Sequence, residues 1–182
     1  GHDFIDQVVV NGAVAVVGER RAMSLDVPYF RVDNSRLAWA VMVANWYGNP
    51  EKKLKFVGVT GTDGKTTTSN LIYEFLKRAG WKVGLISTVY AVIGKEKLDT
   101  GLHTSSPDPD VLWKMLKLMV TKKCQWVVME TTSHGLDQDR FGNIEFEVGV
   151  ITNLGSDHLE YHKTLDNYAE AKSKLLERSK VA

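Results

Sequence analysis

Gly61-Thr62-Asp63-Gly64-Lys65-Thr66-Thr67 lies between a short apolar run, Phe56 to Val59, and a stretch of helical pattern. Glycines at such a point let the backbone double back and bring several N–H groups to one spot. The helix that follows adds partial positive charge there, so the turn is suited to phosphate. Lys65 is spaced to reach β- and γ-phosphates, and the Thr66 hydroxyl to bind Mg²⁺. The strict pattern G-x-x-x-x-G-K-[ST] requires glycine at position 59, where this chain has Val59, so the loop is a variant of it. The competing reading is a Gly-Thr-rich turn with a solvated lysine. The flanking strand and helix patterns argue against that.

Two further groups belong at the ends of strands. Glu130 closes the apolar run Trp126-Val127-Val128-Met129. A carboxylate at the C-terminal edge of a parallel strand lies in the ligand crevice of such sheets, where beside a phosphate loop it can hold Mg²⁺. Asp157-His158 follows the run Val148 to Ile151 by way of Thr152-Asn153-Leu154-Gly155-Ser156, and should reach the same edge. A neutral imidazole ligates metals. Glu130 alone reads as easily as a solvated strand end, and a lone loop histidine is more often a surface group; together with the loop they favour one site.

Leu165, Tyr168, Lys172, Leu175 and Ser179 follow steps of three and four and share one helix face. Lys172 interrupts this mainly apolar stripe. A buried amine has a lowered pKa and can add CO₂ to give an anionic carbamate. On periodicity alone the plainer reading is favoured: a stem packed on apolar neighbours, with its ammonium reaching water.

These residues need a scaffold that brings strand ends together. After Pro50 the chain alternates: Phe56–Val59 strand, helix from about 65 to 79 stopped by Gly80, and strand Val83–Ile86. A helix then opens at Asp108-Pro109, with Asp as cap and Pro in the first turn, followed by strands Trp126–Met129 and Val148–Ile151 and a helix over 165–179. The alternation predicts an α/β fold with a parallel sheet buried on both faces. Before residue 50 the pattern differs, with β-type runs at 8–10, 13–17 and 29–32, an Asn11-Gly12 turn, and a helix over 35–47 capped by Asp33 or Asn34.

Composition narrows the classes. The 182 residues are 43% hydrophobic and 25% charged with a net charge of +1, which excludes disorder as the main state. That charge gives no case for nucleic-acid or membrane binding. Cys124 is the single cysteine, excluding an internal disulfide and an all-Cys zinc site. No apolar run approaches the ~20 residues of a membrane span. The start Gly1-His2-Asp3-Phe4-Ile5 reads as a chain cut from something longer.

Several segments together resemble the Mur ligase family, most closely its E-type. They are Gly58-Val59-Thr60 with residues 61–67; Glu130-Thr131-Thr132-Ser133-His134-Gly135-Leu136; residues 152–159; and Tyr168-Ala169-Glu170-Ala171-Lys172. The resemblance implies a P-loop parallel sheet flanked by helices, an incomplete central domain over residues 51–182. Part of a small α/β N-terminal domain precedes it over 1–50, and the C-terminal domain is absent. It implies ATP and Mg²⁺ as cofactors, with Gly61, Thr62, Asp63, Gly64, Lys65, Thr66 and Thr67 on the nucleotide. Lys65, His158 and a carbamylated Lys172 are then catalytic, while Thr66, Glu130, His158 and Lys172 serve the metal. Thr104, Ser105, Ser106, Thr132, Gln138 and Arg140 fall on substrate-contacting segments.

The implied activity is addition of an amino acid to a UDP-N-acetylmuramoyl dipeptide through an acyl phosphate. The expected protein is a cytoplasmic monomer with no nucleic-acid or membrane partner. This chain, without the third domain, is expected to be inactive alone. Two other readings stay open: a nucleotide-binding module without ligase activity, or a sister ligase such as a folylpolyglutamate synthetase, against which the Ser133-His134-Gly135-Leu136 element argues. The chain departs from the family pattern at Ser105-Ser106, at Thr132-Ser133 and at Asp63.

Overall fold

The computed structural model describes residues 2–21, 25–100 and 105–182. A 3-10 turn at His2–Phe4 leads into α1 (Ile5–Val10), β1 (Val16–Gly18), β2 (Tyr29–Arg31) and α2 (Ser35–Trp46). A 3-10 turn at Pro50–Lys53 then introduces β3 (Lys55–Thr60), α3 (Lys65–Arg78), β4 (Val83–Ile86), β5 (Tyr90–Ile93), β6 (Glu96–Asp99) and α4 (Pro109–Thr121). The chain continues through β7 (Trp126–Glu130), α5 (Ser133–Asp137), β8 (Phe146–Ile151), α6 (Leu159–His162), α7 (Leu165–Glu177) and β9 (Ser179–Val181).

β1 and β2 form a small parallel pair; the other seven strands make one sheet in the order β6-β5-β4-β7-β3-β8-β9. The β4-β7-β3-β8-β9 run is parallel throughout. β5 and β6 add an antiparallel hairpin to its edge, an element absent from the sequence reading. Alternate residues of the central strands serve opposite faces. Val57, Val59, Val83, Leu85 and Val128 pack with Tyr73 of α3 on one side. Phe56, Val127, Met129 and Phe146 pack with α4, Leu136 and Leu175 on the other. Both faces are covered, as a parallel sheet requires. Among the described residues no helix is long and apolar enough to cross a membrane.

The N-terminal segment corrects two expectations. Val8 to Val10 is the end of α1 and not a strand, and strand structure begins only at Val16, not Ala13. Val8 is 43% exposed and Val10 85%, so no sheet partner rewards their β-branched preference. α2 starts as read: the Asn34 side chain accepts from Leu37 N. Its Trp46 does not share the buried face; Ala40 and Ala44 do. The Asn34 amide also donates to Asp139 (2.8 Å), and α2 packs on α4, which ties this segment to the main sheet. Asp108 precedes α4 but its side chain makes no capping bond; it pairs instead with Arg140 at 3.1 Å. The last helix stops at Glu177, and Ser179 opens β9.

Candidate active site

β7, β3 and β8 are adjacent and parallel, so their C-terminal ends reach one edge. Val59 lies beside Glu130 and Thr60 beside Ile151 in register. The loop after β3, the end of β7 and the loop after β8 therefore meet there. A cavity of about 280 Å³ opens between them, lined by residues 61–67, Thr88, Glu130, Thr132, Ser133, His158, Tyr168 and Lys172.

The loop's shape is held from outside. Gly61 sits at φ 146, and a Cβ there would collide with Thr152 Oγ1. Asn153 Oδ1 accepts the N–H groups of both Thr62 and Asp63, each at 3.0 Å. Thr152 Oγ1 donates to the Asp63 carbonyl (2.6 Å). The Thr62 hydroxyl lies 3.1 Å from the Tyr168 hydroxyl and accepts from Gly155 N (2.9 Å). Gly64 opens α3 at φ 78 with no side-chain cap, which leaves the first N–H groups of the helix to a ligand. Lys65 Nζ donates to the carbonyls of Gly61 (3.0 Å) and Thr62 (2.7 Å). The Asp63 side chain is on the exposed rim.

Glu130 is 1% exposed. Its Oε2 accepts from Thr88 Oγ1 (3.2 Å), while its Oε1 is buried without a partner. Burial pushes this carboxyl above the usual range; the Thr66 and Thr88 hydroxyls and Lys65 pull against that. His158 stands in the left-handed region (φ 53) before α6. Its Nδ1 is 3.3 Å from Glu160, its Nε2 3.5 Å from Asp157, and its ring meets His134 edge-on at 4.8 Å. Burial, then the neighbouring His158 and His162, hold His134 below the ordinary imidazole pKa. A buried carboxylate oxygen without a partner and a hydroxyl suit Mg²⁺, a hard cation that takes oxygen ligands and keeps waters and substrate phosphates in its shell. Among the described residues no three His, Cys, Asp or Glu side chains converge on one metal position.

Lys172 is 2% exposed and lies on the cavity wall with Glu130 and His158. Its Nζ donates to the Gly61 carbonyl (2.8 Å) above the Tyr168 ring (4.4 Å). Burial first and Lys65 second bring its pKa down to about 8, against a weaker pull from Asp157. Its ammonium does not reach water, so the plainer reading of the stripe fails. Tyr168 (1% exposed) and Leu175 (0%) share its face, but Leu165 is 47% exposed.

The residues read as substrate contacts form a second cluster beside the first. Thr132 joins the two: it lines the cavity, and its hydroxyl accepts from Ser106 N (3.2 Å) and Gly135 N (3.1 Å). Ser105 Oγ is 3.3 Å from the same hydroxyl. Gln138 and Arg140 do not line the cavity. Arg140 grips Gln138 Oε1 through Nε (3.0 Å) and Nη2 (2.8 Å), and the Ser106 carbonyl through Nη1 (2.7 Å). Its fork is thus filled by protein acceptors. Thr104 lies outside the described residues.

Sequence reasoning missed the roles of Asn153, Thr88 and Tyr168. Asn153 had one available signal, a polar residue just past a strand at the ligand edge. Thr88 and Tyr168 reach the site only through tertiary packing.

Comparison with known proteins places residues 59–182 in the family described as Mur ligase middle domain. The chain is 43% identical over 179 residues to the UDP-N-acetylmuramoyl-L-alanyl-D-glutamate--2,6-diaminopimelate ligase of Parabacteroides distasonis, covering 97% of this chain and 36% of that protein. A solved structure of an enzyme of that name superposes with TM-score 0.78 at 29% identity, over 97% of this chain and 35% of that one. A MurF ligase from Thermotoga maritima in complex with ADP superposes with TM-score 0.54 at 30% identity, over 98% and 38%. The chain thus spans a little over a third of the length of the curated relatives it matches.

Proposed function

The chain belongs to the Mur ligase family, and from that premise we propose that it is the nucleotide-binding portion of an ATP-dependent, amide-forming ligase of peptidoglycan precursor synthesis. Residues 51–182 are read as central domain and 1–50 as part of the N-terminal, UDP-substrate domain. The proposed acceptor is UDP-N-acetylmuramoyl-L-Ala-D-Glu, and the proposed setting is the cytoplasm. The incoming amino acid is taken to be 2,6-diaminopimelate, on the strength of the relatives' names.

In the proposed reaction the D-Glu carboxylate takes the γ-phosphoryl group of ATP and ADP leaves. The amine of the amino acid then attacks the acyl carbon, phosphate departs, and the amine gives up a proton. Lys65 and the uncapped N-terminus of α3 would hold the phosphates. To do so, Lys65 must exchange its two loop carbonyls for phosphate oxygens. Glu130, Thr66 and His158 would hold Mg²⁺, which when bound neutralises phosphate charge. Lys172 is proposed as the carbamylated lysine of the family. A pKa of about 8 leaves part of the amine neutral near pH 7, and the neutral amine adds CO₂ with loss of one proton.

The observation that carries this reading is the orphaned Glu130 oxygen in the same cavity as Lys65 and Lys172. Titration calorimetry with ATP·Mg²⁺ tests it. Binding should be measurable and should weaken at least about tenfold in Lys65→Ala, which removes a charge-assisted contact. Equal affinity of the two proteins would overturn the assignment.

A further inference from the structure

The edge of the sheet opposite the cavity carries its own pattern. β4, β7 and β3 are adjacent and parallel, and register sets Val83 and Lys55 on either side of Trp126, so their N-terminal ends lie together. Lys52, Lys53 and Lys55 lead into β3, Lys82 into β4, and Lys122 and Lys123 into β7; all six are exposed. The β5–β6 turn brings Lys95 to the same edge, since β5 runs antiparallel to β4, and Lys122 reaches Glu96 of that hairpin at 2.8 Å. Glu96 is thus already paired, and Glu51, partly buried, accepts from Trp113 Nε1 (2.9 Å). Past β3 the start of β8 brings exposed Glu145 and half-buried Glu147, the latter paired with Lys180 at 2.9 Å, so the basic run ends at β3. Trp81 stands among the lysines, 44% exposed, braced edge-on against Trp126 at 6.4 Å.

We propose that this lysine-rich edge, with Trp81 at its centre, is an electrostatic docking surface for an anionic lipid bilayer. Neighbouring strands are about 4.8 Å apart, so adjacent ammoniums fall within a Debye length of about 10 Å and act on one patch of surface. The net charge of +1 hides this, because it averages a strongly basic end with a remainder that is net acidic.

The chemistry favours lipid over other polyanions. Every cation leading into these strands is lysine, a compact point charge without the planar fork that reads individual phosphates. That suits a diffuse field. A single braced tryptophan suits an interface between water and acyl chains, whereas single-stranded nucleic acid is bound on several stacking rings. Docked in this way, the molecule turns its phosphate cavity, at the far ends of the same strands, toward the aqueous side. Surface binding and nucleotide binding are therefore compatible.

Co-sedimentation with unilamellar vesicles rich in phosphatidylglycerol, against vesicles of phosphatidylcholine alone, tests the proposal. Binding is expected to the first only, and to fall steeply between about 0.05 and 0.5 M salt. Each lysine near an anionic surface raises partitioning about fivefold, so Lys52→Glu/Lys53→Glu/Lys82→Glu/Lys123→Glu should lose at least about 100-fold. The control Arg21→Glu/Arg31→Glu/Arg36→Glu/Lys163→Glu, with the same change in net charge and all four residues exposed away from this edge, should lose far less. Should the first variant fail to fold by circular dichroism, Lys52→Glu/Lys53→Glu and Trp81→Ser each still predict a several-fold loss. No binding to the anionic vesicles at low salt, equal losses in variant and control, or tighter binding to a single-stranded RNA oligonucleotide than to vesicles would each overturn it.

Discussion

Lys172→Met should stabilise the protein at neutral pH and not at alkaline pH. The amine of Lys172 is 2% exposed and its pKa is brought from 10.5 to about 8, first by burial and then by Lys65. In the unfolded chain it returns to 10.5. The fold therefore binds this proton less tightly than the unfolded chain does. The resulting penalty is full below about pH 8, eases as pH rises, and vanishes above 10.5. Its full size is about 3 kcal/mol. At about pH 6.5 nearly all of it is present, and at about pH 9.5 roughly 1 kcal/mol remains. Methionine keeps much of the stem's bulk and removes the charge, but forfeits the bond to the Gly61 carbonyl, about 1 kcal/mol at either pH. Lys65 still donates to that carbonyl, so it is not orphaned. The variant should thus exceed the parent by about 2 kcal/mol at the lower pH and match it at the higher. Urea unfolding of both proteins in CO₂-free buffer measures this, and titration of groups that do not feel the Lys172 charge cancels in the difference; His162, Lys65 and Asp157, which do, are the exceptions. A variant-minus-parent difference that is the same at both pH values within about 0.5 kcal/mol would refute the reasoning.

Three further substitutions test the geometry of the site. Gly61→Ala must accept φ 146 and displace Thr152 Oγ1, whereas Gly64→Ala meets nothing nearer than Thr152 Cβ at 3.9 Å. The first should cost at least about 2 kcal/mol and the second about 1, so thermal melts that rank them the other way would contradict the loop geometry. Arg140→Lys keeps the charge but cannot grip Gln138 Oε1 with two donors while holding the Ser106 carbonyl. A loss of about 1–3 kcal/mol in denaturant unfolding is expected, and unchanged stability would show that the network is ornamental.

The legible parts of the chain are those where local pattern and tertiary role agree. Phe56 to Val59, the glycine turn and the helix from Lys65 form one signal, and the structure keeps all three in place. Glu130 and His158 were legible because a strand's end fixes where the next residues fall. Val8 to Val10 was misread because β-branched residues favour a sheet only where there is one to pack in. The β5–β6 hairpin escaped because its second strand, Glu96-Lys97-Leu98-Asp99, carries almost no apolar alternation; only Gly94, at φ 66, marks the turn. The Gln138–Arg140 grip was out of reach for a different reason. Sequence shows that an arginine can bind an anion, not that Ser106, thirty-four residues away, has already claimed its fork.

The Gly61 carbonyl accepts from two ammoniums at once, Lys65 at 3.0 Å and Lys172 at 2.8 Å. A buried carbonyl left without a donor costs about 1–3 kcal/mol, a toll that would fall on Lys65 at each swing toward phosphate in the role proposed for it. With Lys172 in place the Gly61 carbonyl would be spared that toll, one lysine keeping the post as the other left it, and only the Thr62 carbonyl, held by Lys65 at 2.7 Å, would lose its donor. The arrangement would also outlast the carbamylation proposed for Lys172. A carbamate nitrogen retains one hydrogen, so the lysine that stays can exchange its positive charge for a negative one and still keep its hand on the loop.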